Sequence, residues 1–426
     1  MHRGYGNAVP AGGGVTPPAS GGEADIGMLA GIRVLDLSHM MQGPWATEML
    51  ADMGADVIKV EHATRGERGR ESGSVRLGGH SAMYLAMNRN KRSIGVDLKT
   101  ETGRRLLWQL IETADVLVQN FRPGTLDRLG FGWDAVHAAN PRLIYCHGSG
   151  YGPHEADLPG QDLLAQARSG TMHLTGARGS APAPNGVFLA DAHAATVLAS
   201  GICAALFERT RTGRGRRLEV DLIGSMVHQM TQELVAHHNS SGTPERSPAP
   251  GNPFMEAPYG VYATTDGYVA ISICPISQLA TALDAPALTA RFTDSDAATS
   301  RAEVSSAVAD LIAPLSMHEA LNQLQDGEVW CAPVNDFDAM ATDPAVGWQR
   351  RHSRVHHPGI GELVLVHHPL SVDGEQLPIR RPAPRLGEHT AEVLAELGYP
   401  AADHAELVRS GAIAATDVPE NEGTHQ

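Results

Sequence analysis

Short apolar runs alternate with amphipathic segments along the first half of the chain. Residues 32–37 and 57–60 are β-rich runs, and between them apolar residues recur at helical spacing from Ala46 to Met53. The same order continues through the apolar segments 93–98, 106–111, 116–121 and 143–147. This alternation predicts a parallel sheet covered by helices.

The pattern changes after about residue 240, where Ser, Gly, Thr and Pro form a linker. Beyond it, a hairpin is predicted at 260–273, followed by helices at 276–283, 302–312 and 316–325. Ser316 and Glu319 have the spacing of a capping box at the start of the last helix. The expected fold class is therefore α/β, with a large Rossmann-like parallel-sheet domain plus a small α+β domain.

Domain boundaries follow from the same pattern. Residues 1–27 are rich in Gly, Pro, Ala and Ser, and we expect a flexible tail there. The large domain is predicted to take residues 28–225, with a long helix at 190–209, and to return at 351–426 with a terminal helix at 388–397. The small domain is predicted at 246–332, between linkers at 226–245 and 333–350, and a helix at about 225–238 enters the first linker.

Composition narrows the class of protein. The chain has 426 residues, of which 42% are hydrophobic and 19% charged, which suits a two-domain globular protein. It contains no run of about 18 apolar residues and no basic-then-apolar N-terminus, so we expect no membrane partner and a cytoplasmic location. The four cysteines form no CxxC pair, and we expect neither a disulfide framework nor a metal.

A formal net charge of -15 disfavours nucleic acid as a partner, because a polyphosphate backbone requires a broad basic surface. An anionic ligand would therefore have to meet local positive charge. Such clusters are Arg65, Arg68 and Arg70; Arg89, Lys91 and Arg92; Arg122 and Arg128; and the arginines of 209–217. Each cluster is either a ligand contact or a solvated surface.

Sequence pattern alone offers one candidate nucleophile, Asp162, at the start of a predicted helix. An aspartate there is an N-cap by default, and it can also be a covalent nucleophile, so both roles stay open. Other chemistry has weaker signals. Adjacent histidines point in different directions, no G-x-S-x-G elbow occurs, and the first strand is not followed by G-x-G-x-x-G. The loop after that strand carries His39 and Gln42 instead.

From about Gly31 to Leu397, several motifs occur together and in a characteristic order. They are Gly43-Pro44, the segment 54–61, Asn90-Lys91-Arg92, Asn120-Phe121-Arg122-Pro123-Gly124, Leu129-Gly130, Thr212-Gly213-Arg214-Gly215 and Leu386-Gly387-Glu388-His389-Thr390. With these motifs the chain resembles a family III CoA-transferase.

The resemblance implies that CoA moves from an acyl-CoA donor to a carboxylic acid acceptor through an aspartyl anhydride and an aspartyl-CoA thioester. Its nucleophile would be Asp162, and backbone N–H groups of a glycine-rich loop would hold the tetrahedral oxyanions. The only cofactor implied is coenzyme A itself, as substrate and product. The resemblance also implies an interlocked homodimer. It further implies that the residues in contact with CoA are His39, Lys91, Arg92, Asn120, Phe121 and Arg128.

Two alternatives remain beside the transferase. An α-methylacyl-CoA racemase shares most of the CoA-binding motifs, but it has a proton-abstracting histidine where this chain has Gln161, although Asp191 occupies the position of its second catalytic group. A non-catalytic acyl-CoA-binding protein would keep the basic clusters and lose the nucleophile, whereas Asp162 is present.

Overall fold

The fold is given by a computed structural model, which describes residues 27–153, 158–240 and 242–414. The predicted tail at 1–27 lies outside this range except for Gly27, and so does the end of the C-terminal segment.

Among the described residues, the first 240 positions of the chain contain eight strands and ten α-helices. The strands are β1 (Arg33–Asp36), β2 (Asp56–Glu61), β3 (Arg76–Leu77), β4 (His80–Ser81), β5 (Arg92–Gly95), β6 (Val116–Gln119), β7 (Ile144–Ser149) and β8 (Arg217–Asp221). The helices are α1 (Gln42–Asp52), α2 (Ala82–Met87), α3 (Glu101–Thr113), α4 (Thr125–Arg128), α5 (Trp133–Ala139), α6 (Asp162–Ser169), α7 (Thr171–Leu174), α8 (Leu189–Thr212), α9 (Leu222–Gln229) and α10 (Thr231–Asn239). The helix predicted at 225–238 is wrong as a single element, since α9 and α10 are separated at Met230.

A six-stranded sheet in the order β5-β2-β1-β6-β7-β8 forms the centre of this unit, and its strand pairs are parallel. The prediction of a helix-covered parallel sheet is confirmed. The chain runs outward from β1 to β2 on one side and resumes at β6 on the other. The loops that follow β1 and β6 therefore diverge, which opens a crevice at the carboxyl edge between them.

Helices cover both faces of the sheet. On one face, Leu107 and Ile111 of α3 pack against Leu35 and Leu117. On the other, Leu198 and Ile202 of α8 pack with Leu50 of α1. By length and composition α8 could cross a membrane, but its buried residues pack against the sheet in the core of the large unit.

A smaller unit follows, with an antiparallel sheet in the order β11 (Cys331–Pro333), β10 (Tyr268–Ile271) and β9 (Gly260–Ala263). Its core contains Tyr262, Val269, Leu279 and Leu324. The capping box at Ser316 is confirmed, since both of its hydrogen bonds form. The elements of this unit are β9 (Gly260–Ala263), β10 (Tyr268–Ile271), α11 (Ile276–Ala282), α12 (Pro286–Arg291), α13 (Asp296–Thr299), α14 (Arg301–Ile312), α15 (Met317–Asp326) and β11 (Cys331–Pro333).

The chain then returns to the large sheet. Leu363 and Leu365 pack on Tyr84 and Leu85 of α2, and Val393 enters the core beneath the sheet. The elements of this segment are α16 (Phe337–Thr342), β12 (His352–His357), β13 (Gly361–Val366), β14 (Ser371–Val372), β15 (Glu375–Gln376), α17 (Thr390–Glu396) and α18 (Ala401–Arg409). The helix predicted at 388–397 is therefore α17, and it is not terminal because α18 follows.

Candidate active site

Two of the predicted residues join the loops on either side of the crevice at the carboxyl edge of the sheet. Asn120 follows β6 directly, and its side-chain amide bonds both backbone groups of His39 on the opposite loop. The His39 N–H donates to Asn120 Oδ1 at 2.8 Å, and Asn120 Nδ2 donates to the His39 carbonyl at 2.8 Å. This reciprocal pair fixes the loop after β1 against the loop after β6.

The imidazole of His39 packs beside the ring of Phe121, with 5.3 Å between ring centroids. Burial lowers the pKa of His39 to about 4, and the positive charges of Lys59 and Arg68 lower it further in the same direction. The imidazole is therefore uncharged near neutral pH. It can offer a hydrogen bond or an apolar face to a ligand, but not a cation.

A cavity of about 640 Å³ opens beside this pair and runs along the carboxyl ends of β2, β5 and β6. Its walls combine apolar groups, such as Leu37, Val96 and Phe121, with charged side chains. In volume and composition it is a typical small-ligand cavity. The cations that line it are Arg65, Arg68, Lys99 and Arg122.

These four cations differ from Arg70 and Arg89 of the basic clusters named above. Within the described part of the chain none of the four has a carboxylate within ion-pair distance, whereas Arg70 pairs with Glu61 and Arg89 with Asp52. Four cations without a carboxylate partner among the described residues thus line one cavity of an acidic protein. Such a surface attracts a polyanionic ligand.

Asp162 is the first residue of α6 and is only 7% exposed. The N-cap of its own helix is Gln161, so the default capping role is wrong for Asp162. Its carboxylate lies instead at the N-terminus of α8, where Oδ1 accepts from the N–H groups of Ala190 at 2.7 Å and Asp191 at 3.2 Å. Oδ2 accepts from Gln166 Nε2 at 2.6 Å. Helix N–H groups stabilise the ionised form of such a carboxylate.

A close glycine contact sets the position of α6. Gly150, after β7, lies so near Gly160 that a Cβ on either residue would be 2.5 Å from the Cα of the other. Any side chain there would push α6, and Asp162 with it, away from the sheet. The requirement for a close backbone approach explains both glycines.

Asp191, whose backbone N–H bonds Asp162, approaches the loop after β1. The Asp191 carboxylate lies near the backbone N–H of Gln42, three residues beyond His39. Burial raises the pKa of Asp191 to about 7, and the negative charge of Asp162 raises it in the same direction. The loop that borders the candidate ligand cavity thus ends near the residue whose backbone N–H bonds the candidate nucleophile.

The structure does not bring Lys91 to this site. Its ammonium is fully buried, and its three donors bond Asp36 Oδ2 at 2.9 Å, the Pro44 carbonyl at 2.8 Å and Asn88 Oδ1 at 2.8 Å. Burial lowers the pKa of Lys91 to about 8, against the opposing effect of Asp36. An ammonium with every donor occupied has none left for a phosphate.

Arg92 is likewise engaged elsewhere. It pairs with Asp56, at the amino end of β2, and with Glu392 and Glu396 of α17. Arg128 lies closer to the cavity: it is exposed on α4 and donates to Thr125 Oγ1 at 3.1 Å, and Thr125 lines the cavity. His39, Asn120 and Phe121 thus lie together, Arg128 is at the rim, and Lys91 and Arg92 are apart.

Several residues of the site were not among the predicted contacts. The sequence indicates Arg65, Arg68 and Arg122 only as members of basic clusters, and Lys99 belongs to none of these clusters. The sequence does indicate a contact between Gln166 and Asp162, because the two are four residues apart on a predicted helix and such side chains are neighbours. No group of three His, Cys, Asp or Glu side chains that could hold a metal ion occurs in the described ranges.

Comparison with known sequences gives a consistent result. The sequence model of CoA-transferase family III matches residues 29–390. A succinate–glutarate CoA-transferase of Agrobacterium fabrum is 34% identical over 390 residues, which cover 87% of this chain and 95% of that protein. A formyl-CoA:oxalate CoA-transferase of Streptomyces avermitilis is 33% identical over 402 residues, covering 87% and 95% respectively.

The fold also has solved counterparts. A CAIB/BAIF family protein from Brucella suis has a TM-score of 0.76 to this chain at 30% identity, and the match covers 87% of this chain and 99% of that one. The similarity therefore extends over the large sheet and the smaller unit together.

Proposed function

Because this chain belongs to CoA-transferase family III and is thus a CoA-transferase acting on acyl-CoA and carboxylate substrates, we propose that the carboxylate of Asp162 is its nucleophile. The observation that carries the proposal is the setting of this carboxylate. It is nearly buried, and it accepts two N–H groups from the N-terminus of α8 and one from Gln166 of α6.

The hydrogen bonds indicate which oxygen attacks. Oδ1 accepts two N–H groups and Oδ2 accepts one. Since each carboxylate oxygen has about two lone-pair sites, Oδ2 retains one that is free for a bond to carbon. We therefore assign the attack on the thioester carbonyl to Oδ2. The remaining bonds keep the carboxylate in one orientation.

The reaction then balances in four displacements without an external base. Asp162 attacks the donor thioester, which gives an anhydride and releases the CoA thiolate; the thiolate attacks the Asp162 carbonyl and releases the donor acid. The acceptor carboxylate next attacks the aspartyl-CoA thioester, which gives a second anhydride and frees the thiolate. Attack of the thiolate on the acceptor carbonyl forms the new acyl-CoA and restores Asp162.

CoA occupies the cavity between the loops after β1 and β6 in this proposal. Arg65, Arg68, Lys99 and Arg122 supply unpaired charge for its phosphates, and Phe121 supplies an apolar face for adenine or pantetheine. His39 and Arg128 remain proposed contacts, Asn120 acts through the backbone of His39, and Lys91 and Arg92 take structural roles. The rim position of Arg128 suits a contact with an exposed phosphate.

The acceptor is proposed to be a dicarboxylic acid. The two relatives described above are named for succinate, glutarate and oxalate, which are all dicarboxylates.

We further propose that the enzyme is a homodimer. Apolar side chains lie exposed beside Asp162, as at Leu163 and Phe188, and on the smaller unit, as at Trp330, which is 75% exposed. A second chain that covers these groups would bury apolar area and shield the anhydride from water. The cytoplasmic location stays a prediction.

The direct test is a transfer assay. The purified protein is incubated with succinyl-CoA or acetyl-CoA and a panel of mono- and dicarboxylic acids, and the CoA esters are read by mass spectrometry. New CoA esters of dicarboxylates are the expected result. Hydrolysis only, or no change with any donor and acceptor, would contradict the proposal, while a change of configuration in a 2-methylacyl-CoA would favour the racemase.

A further inference from the structure

The loop that carries Phe121 and Arg122 separates two cavities. On one side lies the cavity proposed for CoA, and on the other a smaller cavity of about 110 Å³, which residues of β6, β7 and β8 line. Arg122 and Thr125 line both cavities. Because the loop has open space on two sides, packing alone does not fix its position.

His147 of β7 holds this loop by the backbone of Phe121. Its Nε2 lies 3.0 Å from the Phe121 carbonyl oxygen. A carbonyl oxygen only accepts, so Nε2 is the donor and carries the hydrogen. The N–H of Phe121 is bound as well, since it donates to Gln119 Oε1 at 2.9 Å. Gln119 and His147 are paired in register on β6 and β7, and together they bind both backbone groups of Phe121.

The second ring nitrogen of His147 faces a carboxylate on the next strand. Nδ1 lies 3.8 Å from Glu219 Oε1, and the same oxygen accepts from Arg217 Nη2 at 2.7 Å. Glu219 and His147 are paired in register on β8 and β7. The ring is only 8% exposed and is thus confined between Glu219 and the Phe121 carbonyl.

We propose that His147 is a positioning residue for CoA binding, which acts through the backbone of Phe121. This inference rests on the proposed function, in which CoA occupies the larger cavity. The Phe121 ring forms part of the wall of that cavity and packs beside His39, and the Arg122 cation follows it directly. Without the hydrogen bond from His147, the loop can move toward the smaller cavity and take both groups with it.

The arrangement acts on binding and not on the covalent steps. Asp162 is held by other donors, on α6 and at the N-terminus of α8. Loss of the His147 bond is therefore expected to raise the KM for acyl-CoA and to leave kcat at saturating donor nearly unchanged. A general loss of stability would instead lower the active fraction, and with it the apparent kcat.

Substitutions of His147 test this role by calorimetry with CoA and by steady-state kinetics. His147→Ala removes the donor and is expected to raise the Kd for CoA about 5- to 10-fold, and the KM for acyl-CoA in proportion. His147→Phe keeps a buried ring without the donor and should show the same loss, so a folding defect of one variant cannot conceal the effect. His147→Gln retains an N–H donor and should recover most of the affinity.

The matched control is Asn140→Ala, at the other end of β7. The Asn140 side chain donates to the carbonyls of Ile111 and Ala114, both at 2.9 Å. Its removal also takes hydrogen bonds from backbone carbonyls, and it should lower stability without changing the Kd for CoA. Wild-type affinity in His147→Ala and His147→Phe would overturn the inference, and so would an equal rise of the Kd in Asn140→Ala.

Hydrogen exchange read by mass spectrometry separates failure of this inference from failure of the proposed function, because it needs no ligand. The peptide that contains residues 119–125 should exchange faster in His147→Ala than in the wild type or Asn140→Ala. If exchange changes in this way but the wild type does not bind CoA, the proposed CoA site fails and the hydrogen bond from His147 to Phe121 stands. If the wild type binds CoA and His147→Ala changes neither exchange nor affinity, the inference about His147 fails alone.

Discussion

The side-chain amide of Gln166 donates a 2.6 Å hydrogen bond to Oδ2 of Asp162, one turn back along the same helix. Its other end is also engaged, because Gln166 Oε1 accepts the backbone N–H of Asn185 at 2.8 Å. Gln166 is 1% exposed. It therefore connects the orientation of the nucleophile to the exposed loop that precedes α8.

Replacement of Gln166 by Ala should lower kcat more than it changes the KM for acyl-CoA, because the bond orients Asp162 and contacts no part of CoA. A hydrogen bond to a charged group contributes about 1.5–3 kcal/mol, which corresponds to about a 10- to 100-fold loss of rate. Steady-state kinetics checks this. The matched control is Gln161→Ala, an exposed glutamine of the same helix start, which should change little. A Gln166→Ala enzyme with wild-type kcat would remove the positioning role.

Substitution of the cavity arginines should weaken CoA binding. Arg68→Ala and Arg122→Ala each remove an unpaired cation from the cavity wall, and each is expected to raise the Kd for CoA about 10- to 100-fold in calorimetry. Arg105→Ala, at an exposed position of α3, removes the same charge elsewhere and should leave the Kd nearly unchanged. Equal effects from all three would indicate a general charge effect and no local phosphate site.

Substitutions of two lysines should have separate effects, one on the stability of the fold and the other on CoA binding. Lys91→Met leaves Asp36 with one buried cationic partner, Lys59, and should lower the free energy of unfolding by about 3 kcal/mol. Lys99→Met, on the exposed cavity wall, should leave stability within about 0.5 kcal/mol and weaken CoA binding. Denaturant unfolding and calorimetry on both variants check this. If Lys91→Met weakened CoA binding and left stability unchanged, Lys91 would again be a candidate CoA contact.

The low pKa of His39 predicts the pH dependence of stability. Burial makes the folded protein bind fewer protons here than the unfolded chain between about pH 6.5 and 4, so stability is lost as pH falls through this window. Relative to His39→Gln, the wild type should lose about 3 kcal/mol of unfolding free energy from pH 7 to 4. Thermal or urea unfolding at both pH values measures it. A difference that does not change with pH would contradict a neutral, buried His39.

The sequence was sufficient for the sheet and for the position of Asp162 at the start of a helix, and less so for the cations that line the cavity. Strands such as β2 can be predicted because their apolar residues form a local pattern in the sequence. The glycines near Asp162 indicate a close approach between two backbone segments. Lys91 and Lys99 show what a local sequence pattern cannot predict. Both are lysines close to β5, and only the tertiary fold decides which of the two is buried. The role of Lys91 depends on Asp36, 55 residues earlier, a pairing that no local pattern encodes. The break between α9 and α10 was missed because apolar spacing continues through it.

The central claim is that the Asp162 carboxylate exchanges oxygen with the acceptor in each turnover. In the four displacements proposed here, one oxygen of the acceptor carboxylate remains on Asp162 when the new acyl-CoA leaves. An acceptor acid labelled with oxygen-18 should therefore label the peptide that contains Asp162, as seen by mass spectrometry after proteolysis. The label should require acyl-CoA and be absent from Asp162→Asn, which should also fail to transfer CoA. Formation of the labelled acyl-CoA without oxygen-18 on Asp162, or transfer by Asp162→Asn at the wild-type rate, would contradict the account.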